Sequence, residues 1–230
     1  MYIPTLYLVK KSMKKLIYIL FALVFLACSS DHYFSKAEKL AEKGKYAEAI
    51  IFLDRAIERN PKNFHALNNR AVNKSILGDY NGAIEDYSKI IQIDSSNILA
   101  HLNRGRNKVR VGDYQGAIED FDRAIRIKGG ENLWIEWSNS PFLGINNEFD
   151  ATMEEIRFER GFARYNMGSL ETALEDFMFC IQRNFELSTS YFMAGLIYIA
   201  YGNIAEACKM LNRSKIHGNL YAQKMINEYC

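Results

Sequence analysis

The sequence predicts an all-α fold of about five helical hairpins followed by a C-terminal capping helix. One observation is a decapeptide that occurs almost twice: GDYNGAIEDY begins at Gly78, and GDYQGAIEDF begins at Gly112, 34 residues later. A second is the low proline content, 3 in 230 residues, which favours uninterrupted helices. A third is an alanine that recurs at intervals of 34 residues, interrupted once, at Ala49, Ala83, Ala117, Ala173 and Ala207. A fixed period of this length is typical of stacked repeats.

Each repeat carries the signals of two helices. A glycine that suits a helix end with positive φ is followed in two repeats by Asp79 or Asp113, which suits the start of the next helix. In that next helix, Tyr80, Ala83 and Tyr87 have the spacing of one buried helical face. The repeating unit is therefore predicted to be a helix hairpin. The glycines are Gly44, Gly78, Gly112, Gly168 and Gly202.

These marks resemble the tetratricopeptide repeat (TPR), a 34-residue unit with small, small, aromatic and proline positions in this order. The first unit carries them at Ala37, Ala49, Leu53, Ala56 and Pro61, and the fourth unit at Gly161, Ala173, Phe177 and Cys180. The resemblance implies a right-handed α–α superhelix, a TPR solenoid. It implies units 1–3 in residues 30–131, an insert at 132–153, units 4–5 in residues 154–221 and a capping helix at 222–230.

The first 27 residues have the layout of a secretory signal peptide. Four lysines precede the apolar run Leu16–Ala27, and no acidic residue occurs before Asp31. The run is shorter than the roughly 20 residues that cross a bilayer as a helix. Because residues 1–27 hold four lysines and no acidic residue, their removal leaves a net charge of −2, with 25 basic and 27 acidic residues. The basic balance of the whole sequence therefore gives no argument for nucleic-acid binding. Met13 is an alternative start to Met1.

Cys28 follows the small residue Ala27 at the end of the apolar run, which resembles the lipobox of bacterial lipoproteins. The position three residues before the cysteine is Phe25 rather than the usual leucine. The resemblance implies lipid attachment at Cys28, residues 28–29 as a tether, and a place on a bacterial envelope membrane, at the outer membrane or the periplasmic face. Ordinary cleavage near this position is the alternative.

Charges recur with the repeat in the three middle units. The first helix carries two basic residues four positions apart, and the second helix carries an adjacent acidic pair. Because both features are missing together from the first and fifth units, we expect partly exposed ion pairs that fix helix orientation and contribute roughly 0–1 kcal/mol each. A structural role is favoured over a ligand site. The residues are Arg70, Lys74, Glu85 and Asp86; Arg104, Lys108, Glu119 and Asp120; and Arg160, Arg164, Glu175 and Asp176.

Candidate catalytic chemistry is sparse. Cys180 and Cys208 take the place of apolar or small residues in the other repeats, which favours core thiols over a redox or metal role. The four histidines lie in different units without ligand spacing, and no phosphate-binding or hydrolase motif occurs. We therefore expect no enzyme activity, no cofactor, no metal and no nucleic-acid partner.

The remaining candidate for a functional site is a surface that binds a protein or peptide partner. By resemblance to the family, first helices line an inner groove whose residues change from polar to apolar along the array. In the alternative interpretation, the protein's own terminal helix or insert covers the apolar half of this groove. The predicted groove residues include Asn68, Val72, Leu102, Arg106, Phe158, Phe162, Tyr165, Phe192 and Leu196.

The insert adds both tryptophans, Trp134 and Trp137. Long loops often carry function, and tryptophan is a common interface anchor. Three readings remain open: the tryptophans bind the partner, pack the loop onto the array, or stack on a sugar ring. The sequence thus favours a lipid-anchored, non-enzymatic scaffold of the envelope, with a module that binds peptidoglycan or envelope glycan as the alternative.

Overall fold

The computed structural model describes residues 30–129 and 151–230. The described chain is all-helical, with a first compact unit that ends at Ile93 and a second that begins at Asp94. In the first unit, α1 (residues 30–41) and α2 (Tyr46–Arg59) form one hairpin, and α3 (Phe64–Ile76) and α4 (Tyr80–Ile93) form the next. The predicted helical hairpins are confirmed in this unit.

The second unit contains three further hairpins and a short terminal helix. The hairpins are α5 (Ile98–Arg110) with α6 (Tyr114–Lys128), α7 (Met153–Asn166) with α8 (Leu170–Gln182), and α9 (Leu187–Ala200) with α10 (Ile204–Ile216). Helix α11 (Ala222–Tyr229) packs against α10. Successive helices of this unit pack on one another from α6 to α11, so that each hairpin buries its apolar face against its neighbours.

The repeated decapeptide contains the turn and the start of the second helix. Gly112 has φ 83°, a left-handed conformation that glycine adopts without steric cost. The backbone N–H of Asp113 then donates to the carbonyl of Lys108 at 2.9 Å, and its side chain accepts from the N–H of Gly116 at 3.0 Å. These bonds satisfy backbone groups that the ends of α5 and α6 leave without helical partners.

The apolar positions of the decapeptide form the core of each hairpin. Ala83 and Tyr87 are buried in the first unit, and Ala117 and Phe121 are buried in the second. The ring of Phe121 lies beside Gly105 of α5, so close that a Cβ atom at Gly105 would be 2.6 Å from the Phe121 Cε1 atom. A small residue on the first helix and an aromatic residue on the second therefore set the distance between the helices.

Candidate functional site

Three buried ion-pair clusters fix the helices that carry the candidate surfaces. In each middle hairpin, an arginine of the first helix meets one aspartate of the second through two hydrogen bonds: Arg70 with Asp86, Arg104 with Asp120, and Arg160 with Asp176. A second basic residue one turn further on, Lys74, Lys108 or Arg164, reaches the same carboxylate at 2.8 to 2.9 Å. The two helices of a hairpin are thereby held in register.

The predicted pairing is present, but the expectation of partly exposed pairs is wrong. The aspartates are 0 to 3% exposed, whereas Glu85, Glu119 and Glu175 point to solvent. Adjacent residues on a helix do not share a face, so only one residue of each acidic pair turns toward the first helix. Removal of one partner from a buried pair lowers the stability of the folded protein by several kcal/mol, because the other charge remains desolvated.

Two of the arginines also join neighbouring hairpins. Arg70 of α3 reaches Asp54 of α2 at 2.6 Å, and Arg160 of α7 reaches Asp122 of α6 at 2.6 Å. The same guanidinium group therefore sets both the geometry within a hairpin and the stacking of one hairpin on the next. The sequence signal is an aspartate at the same position of the preceding repeat in both cases.

The environment of these carboxylates favours their ionised form. Burial alone would raise the pKa of Asp86, but hydrogen bonds from Arg70 and Lys74 hold it below its ordinary value. In the second unit, burial likewise raises the pKa of Asp120, but hydrogen bonds from His101, Arg104 and Lys108 outweigh burial and hold this pKa below its ordinary value. Both clusters are therefore charged networks at neutral pH.

An aromatic face in the second unit is the strongest candidate for partner binding. We define it by Phe158, Phe162 and Tyr165 of α7 and by Phe192 and Leu196 of α9, all half-buried. The Phe158 and Phe162 rings meet edge to face at 5.0 Å between centroids. The Phe162 ring meets the buried Phe177 ring at 5.3 Å. These five residues pack against the buried core of the second unit and keep part of their surface exposed.

A polar link borders the aromatic face. Arg106 of α5 donates to Glu159 at 2.9 Å and to Glu155 at 2.7 Å, both on α7. Although burial disfavours the charged guanidinium, these glutamates raise the pKa of Arg106. Because the Arg106 side chain is 34% exposed, the link offers both charge signs to a partner while it joins α5 to α7.

The remaining predicted residues divide into three groups. Asn68 is half-buried and Val72 is exposed, both on α3 of the first unit. Leu102 is fully buried against Ala117 and Phe121, so its assignment to a partner-binding surface is wrong. Its position corresponds to Asn68 one repeat earlier, but the apolar side chain packs into the core. Cys28, Trp134 and Trp137 lie outside the described residues.

The cysteine prediction is half correct. Cys180 is a free, buried thiol, and burial raises its pKa to about 12. Cys208 is not a core thiol: it forms a disulfide with Cys230, across a sequence separation of 22 residues. Cys208 lies at the edge of the buried face of α10, and Cys230, which directly follows α11, reaches it there.

In residues 30–129 and 151–230, no group of three or more histidine, cysteine, aspartate or glutamate side chains is placed to hold a metal ion. Nor does this part of the chain contain a helix with the length and apolar character needed to cross a bilayer.

The helix pairs and their sequence marks define TPR-type hairpins. Residues 32–63 and 64–97 match the family model of the tetratricopeptide repeat. No curated protein sequence matches the chain. TPR folds are generally non-catalytic and bind protein or peptide partners, so the fold suggests a protein-interaction scaffold.

Solved structures show the same fold at low sequence identity. A crystal structure of MamA is 20% identical with a TM-score of 0.68, and the match covers 85% of this chain and 94% of that one. YrrB, described as a TPR protein with an unusual peptide-binding site, is 19% identical with a TM-score of 0.65, covering 85% and 90%. Pseudomonas aeruginosa pilF is 17% identical with a TM-score of 0.61, covering 83% and 77%. These similarities establish the TPR-type hairpin fold.

Proposed function

We propose that the chain is a lipid-anchored scaffold of the bacterial cell envelope that recruits a protein partner through its first-helix surfaces and its insert. The observation that carries this proposal is the aromatic face of the second unit. It combines rings that pack on the core with partly exposed surface, and aromatic residues are common anchors of protein interfaces. The solved structure of YrrB has the same hairpin fold and is described as having a peptide-binding site, which supports a binding role for the hairpins of this chain.

The lysine-rich leader and Cys28 support the proposed place of action. The Cys208–Cys230 disulfide supports it independently, because disulfides persist in exported proteins and are rare in the reducing cytosol. Residue 30 is already helical. A tether of only two residues, at about 3.3 Å each, would hold the first hairpin against the bilayer surface. The partner is therefore expected at the membrane.

Anchoring is tested by fractionation. Cys28→Ser should move the protein from the membrane fraction to the soluble fraction, and incorporation of labelled fatty acid should be lost. Cys208→Ser serves as the control, since it removes a cysteine without touching the proposed attachment site. A Cys28→Ser chain that still fractionates with membranes would show that the lipid anchor is wrong.

Partner capture is tested by crosslinking in the native membrane. A photoreactive amino acid replaces Tyr165 or Leu196 on the aromatic face, and replaces exposed Glu175 on α8 as the control. We expect the same specific adduct from the first two positions and none from Glu175. Equal adducts from all three positions, or none from the aromatic face, would exclude this face as the contact surface.

The insert separates the scaffold from a glycan-binding module. Trp134→Ala combined with Trp137→Ala should weaken capture of the protein partner and leave retention on purified peptidoglycan unchanged. Loss of peptidoglycan retention with intact protein capture would instead favour the glycan-binding module.

A further inference from the structure

A separate cleft lies in the first unit, between α1 and α3. Its volume is about 300 Å³, at the lower end of the range of ligand pockets. The cleft exists because α1 presents the small residues Ala37 and Ala41 toward α3. On the α3 side, Val72 and Ile76 line the space and are 37% and 53% exposed. The cleft therefore offers apolar surface that the first unit itself leaves uncovered.

A buried amide nitrogen without a partner belongs to a residue that lines the same cleft. Asn73 is 3% exposed, and its Nδ2 atom has no hydrogen-bond partner among the described residues. A buried unpaired amide is unfavourable, since the donor has lost water and gained nothing in return. Rotation about χ2 exchanges the amide oxygen and nitrogen, so the group can offer a donor or an acceptor to a ligand. A peptide backbone unit carries the matching acceptor and donor.

The charge of the cleft has one sign. Glu38 and Glu42 of α1 line it and are exposed, and the residues that line the cleft include no lysine or arginine. In the described part of the chain, neither carboxylate forms an ion pair within 4.0 Å. A ligand that carries positive charge on either side of an apolar group would therefore be attracted, and an acidic ligand would be repelled.

We propose that this cleft binds an extended peptide segment in which an aliphatic side chain is flanked by basic residues. The aliphatic group contacts Val72 and Ile76, the peptide backbone pairs with the Asn73 amide, and the basic side chains approach Glu38 and Glu42. The inference rests on the proposed function, because it specifies the chemistry of one protein segment that such a scaffold would hold.

The test uses the full-length chain in detergent micelles and two fluorescent capped pentapeptides. One has leucine between two lysines, and the other has leucine between two glutamates. Fluorescence anisotropy should show at least tenfold tighter binding of the lysine peptide at low salt, with the preference reduced in 1 M salt. Equal affinity of the two peptides, or tighter binding of the glutamate peptide, would overturn the proposal.

Matched variants locate the binding. Glu38→Lys with Glu42→Lys should weaken binding of the lysine peptide about tenfold, because two exposed attractions become repulsions. Glu58→Lys with Glu85→Lys makes the same change in net charge at two exposed positions of the first unit away from the cleft, and should change affinity less than about twofold. If both double variants lower affinity equally, the peptide responds to net charge and not to the cleft.

Asn73→Ala separates a binding role from a structural one. Because the Nδ2 atom of Asn73 lacks a partner in the free protein, removal of the side-chain amide should leave the unfolding midpoint unchanged or higher, while affinity for the lysine peptide falls severalfold. An unchanged affinity would overturn the role of Asn73. Crosslinking from Tyr165 reports on the proposed scaffold separately, so failure of the peptide test with intact capture there rejects the cleft inference alone.

Discussion

The guanidinium group of Arg160 and the buried carboxylate of Asp176 meet through two hydrogen bonds, from Nη2 to Oδ1 at 2.6 Å and from Nε to Oδ2 at 2.9 Å. Arg164, one turn further along α7, reaches the same carboxylate at 2.8 Å. A single buried aspartate of α8 thus accepts hydrogen bonds from two arginines of α7. The cluster is therefore sensitive to the loss of the Asp176 carboxylate, the acidic group that Arg160 and Arg164 share.

Asp176→Asn should therefore destabilise the second unit by about 3 kcal/mol, near the lower end of the range for breaking a buried pair because Arg160 retains Asp122. Chemical denaturation followed by circular dichroism gives the free energy of unfolding. Glu175→Gln, on the exposed neighbour, is the control and should change it by less than about 0.5 kcal/mol. A cost below about 1 kcal/mol for Asp176→Asn would mean that the pair contributes no more than an exposed one.

The lowered pKa of Asp120 predicts a specific dependence on pH. Its ordinary pKa is 3.8, and the folded environment holds it lower. The stabilisation is complete above about pH 5. It is lost as the pH falls through 3.8 and below, because the unfolded chain takes up the proton first. The free energy of unfolding should decline in this window by up to about 1.4 kcal/mol per pH unit for this carboxyl group.

Asp120→Asn tests this dependence, because it removes the titrating group while leaving the neighbouring bases in place. Denaturation at several pH values between 7 and 2.5 should show a shallower acid decline in the variant than in the unaltered chain. Glu119→Gln changes the exposed neighbour and should keep the original slope. Identical slopes for Asp120→Asn and the unaltered chain would show that other groups govern acid unfolding.

Much of the fold could be read from the repeated decapeptide, since its signals are local. Gly112 adopts the predicted positive φ, Asp113 caps the following helix, and Ala117 and Phe121 are buried as their spacing predicts. Local sequence determines these features because each depends on backbone conformation or on the period of one helix. The pairing of arginine with aspartate could also be predicted, because both residues recur together.

Features that depend on tertiary contacts were harder to predict. Burial of Asp176 and exposure of Glu175 depend on which way α8 turns toward α7, and the adjacent residues differ little in type. The prediction that Leu102 lines the groove rests on its repeat position, which it shares with Asn68, Phe158 and Phe192, and the repeat position does not determine how deeply each side chain is buried. The Cys208–Cys230 bond depends on the return of α11 onto α10, which neither cysteine's sequence neighbours specify.

The close approach of Gly105 to Phe121 predicts a marked effect of one methyl group. A Cβ atom at Gly105 would lie 2.6 Å from the Phe121 ring, whereas one at Gly161, the same repeat position, would lie 3.1 Å from the Phe177 ring. Gly105→Ala should cost about 1–3 kcal/mol through overpacking. Gly161→Ala should cost less, because the gain in helix propensity of up to about 1 kcal/mol offsets the milder contact.

The two alanine variants are compared by urea unfolding in the same buffer. Phe121→Leu provides a relief test: in the Phe121→Leu background, Gly105→Ala should lose most of its cost, since the ring that opposes the methyl group is gone. If Gly105→Ala is as stable as the unaltered chain, the ring yields to the methyl group without penalty and the packing argument fails.

The disulfide between Cys208 and Cys230 should hold the short helix α11 in place. This helix has 8 residues, too few to be stable by itself, and the bond closes a loop across a sequence separation of 22. Loss of a cross-link of this length is expected to cost about 3 kcal/mol. Cys208→Ser with Cys230→Ser should therefore lower the unfolding free energy and speed amide hydrogen exchange at Ile226 far more than exchange in α7.

In the unaltered chain, reducing agent should likewise lower the unfolding free energy and speed amide hydrogen exchange in α11. It should change neither quantity in the double variant, which controls for effects on Cys180. In an unreduced chain that carries Cys28→Ser, thiol reagents should react slowly while the protein is folded, because Cys180 is buried and its pKa is raised to about 12. After unfolding, Cys180 should react and Cys208 and Cys230 should not. Rapid modification of Cys208 in the unreduced protein, or unchanged exchange in α11 after reduction, would show that this bond does not hold the terminal helix.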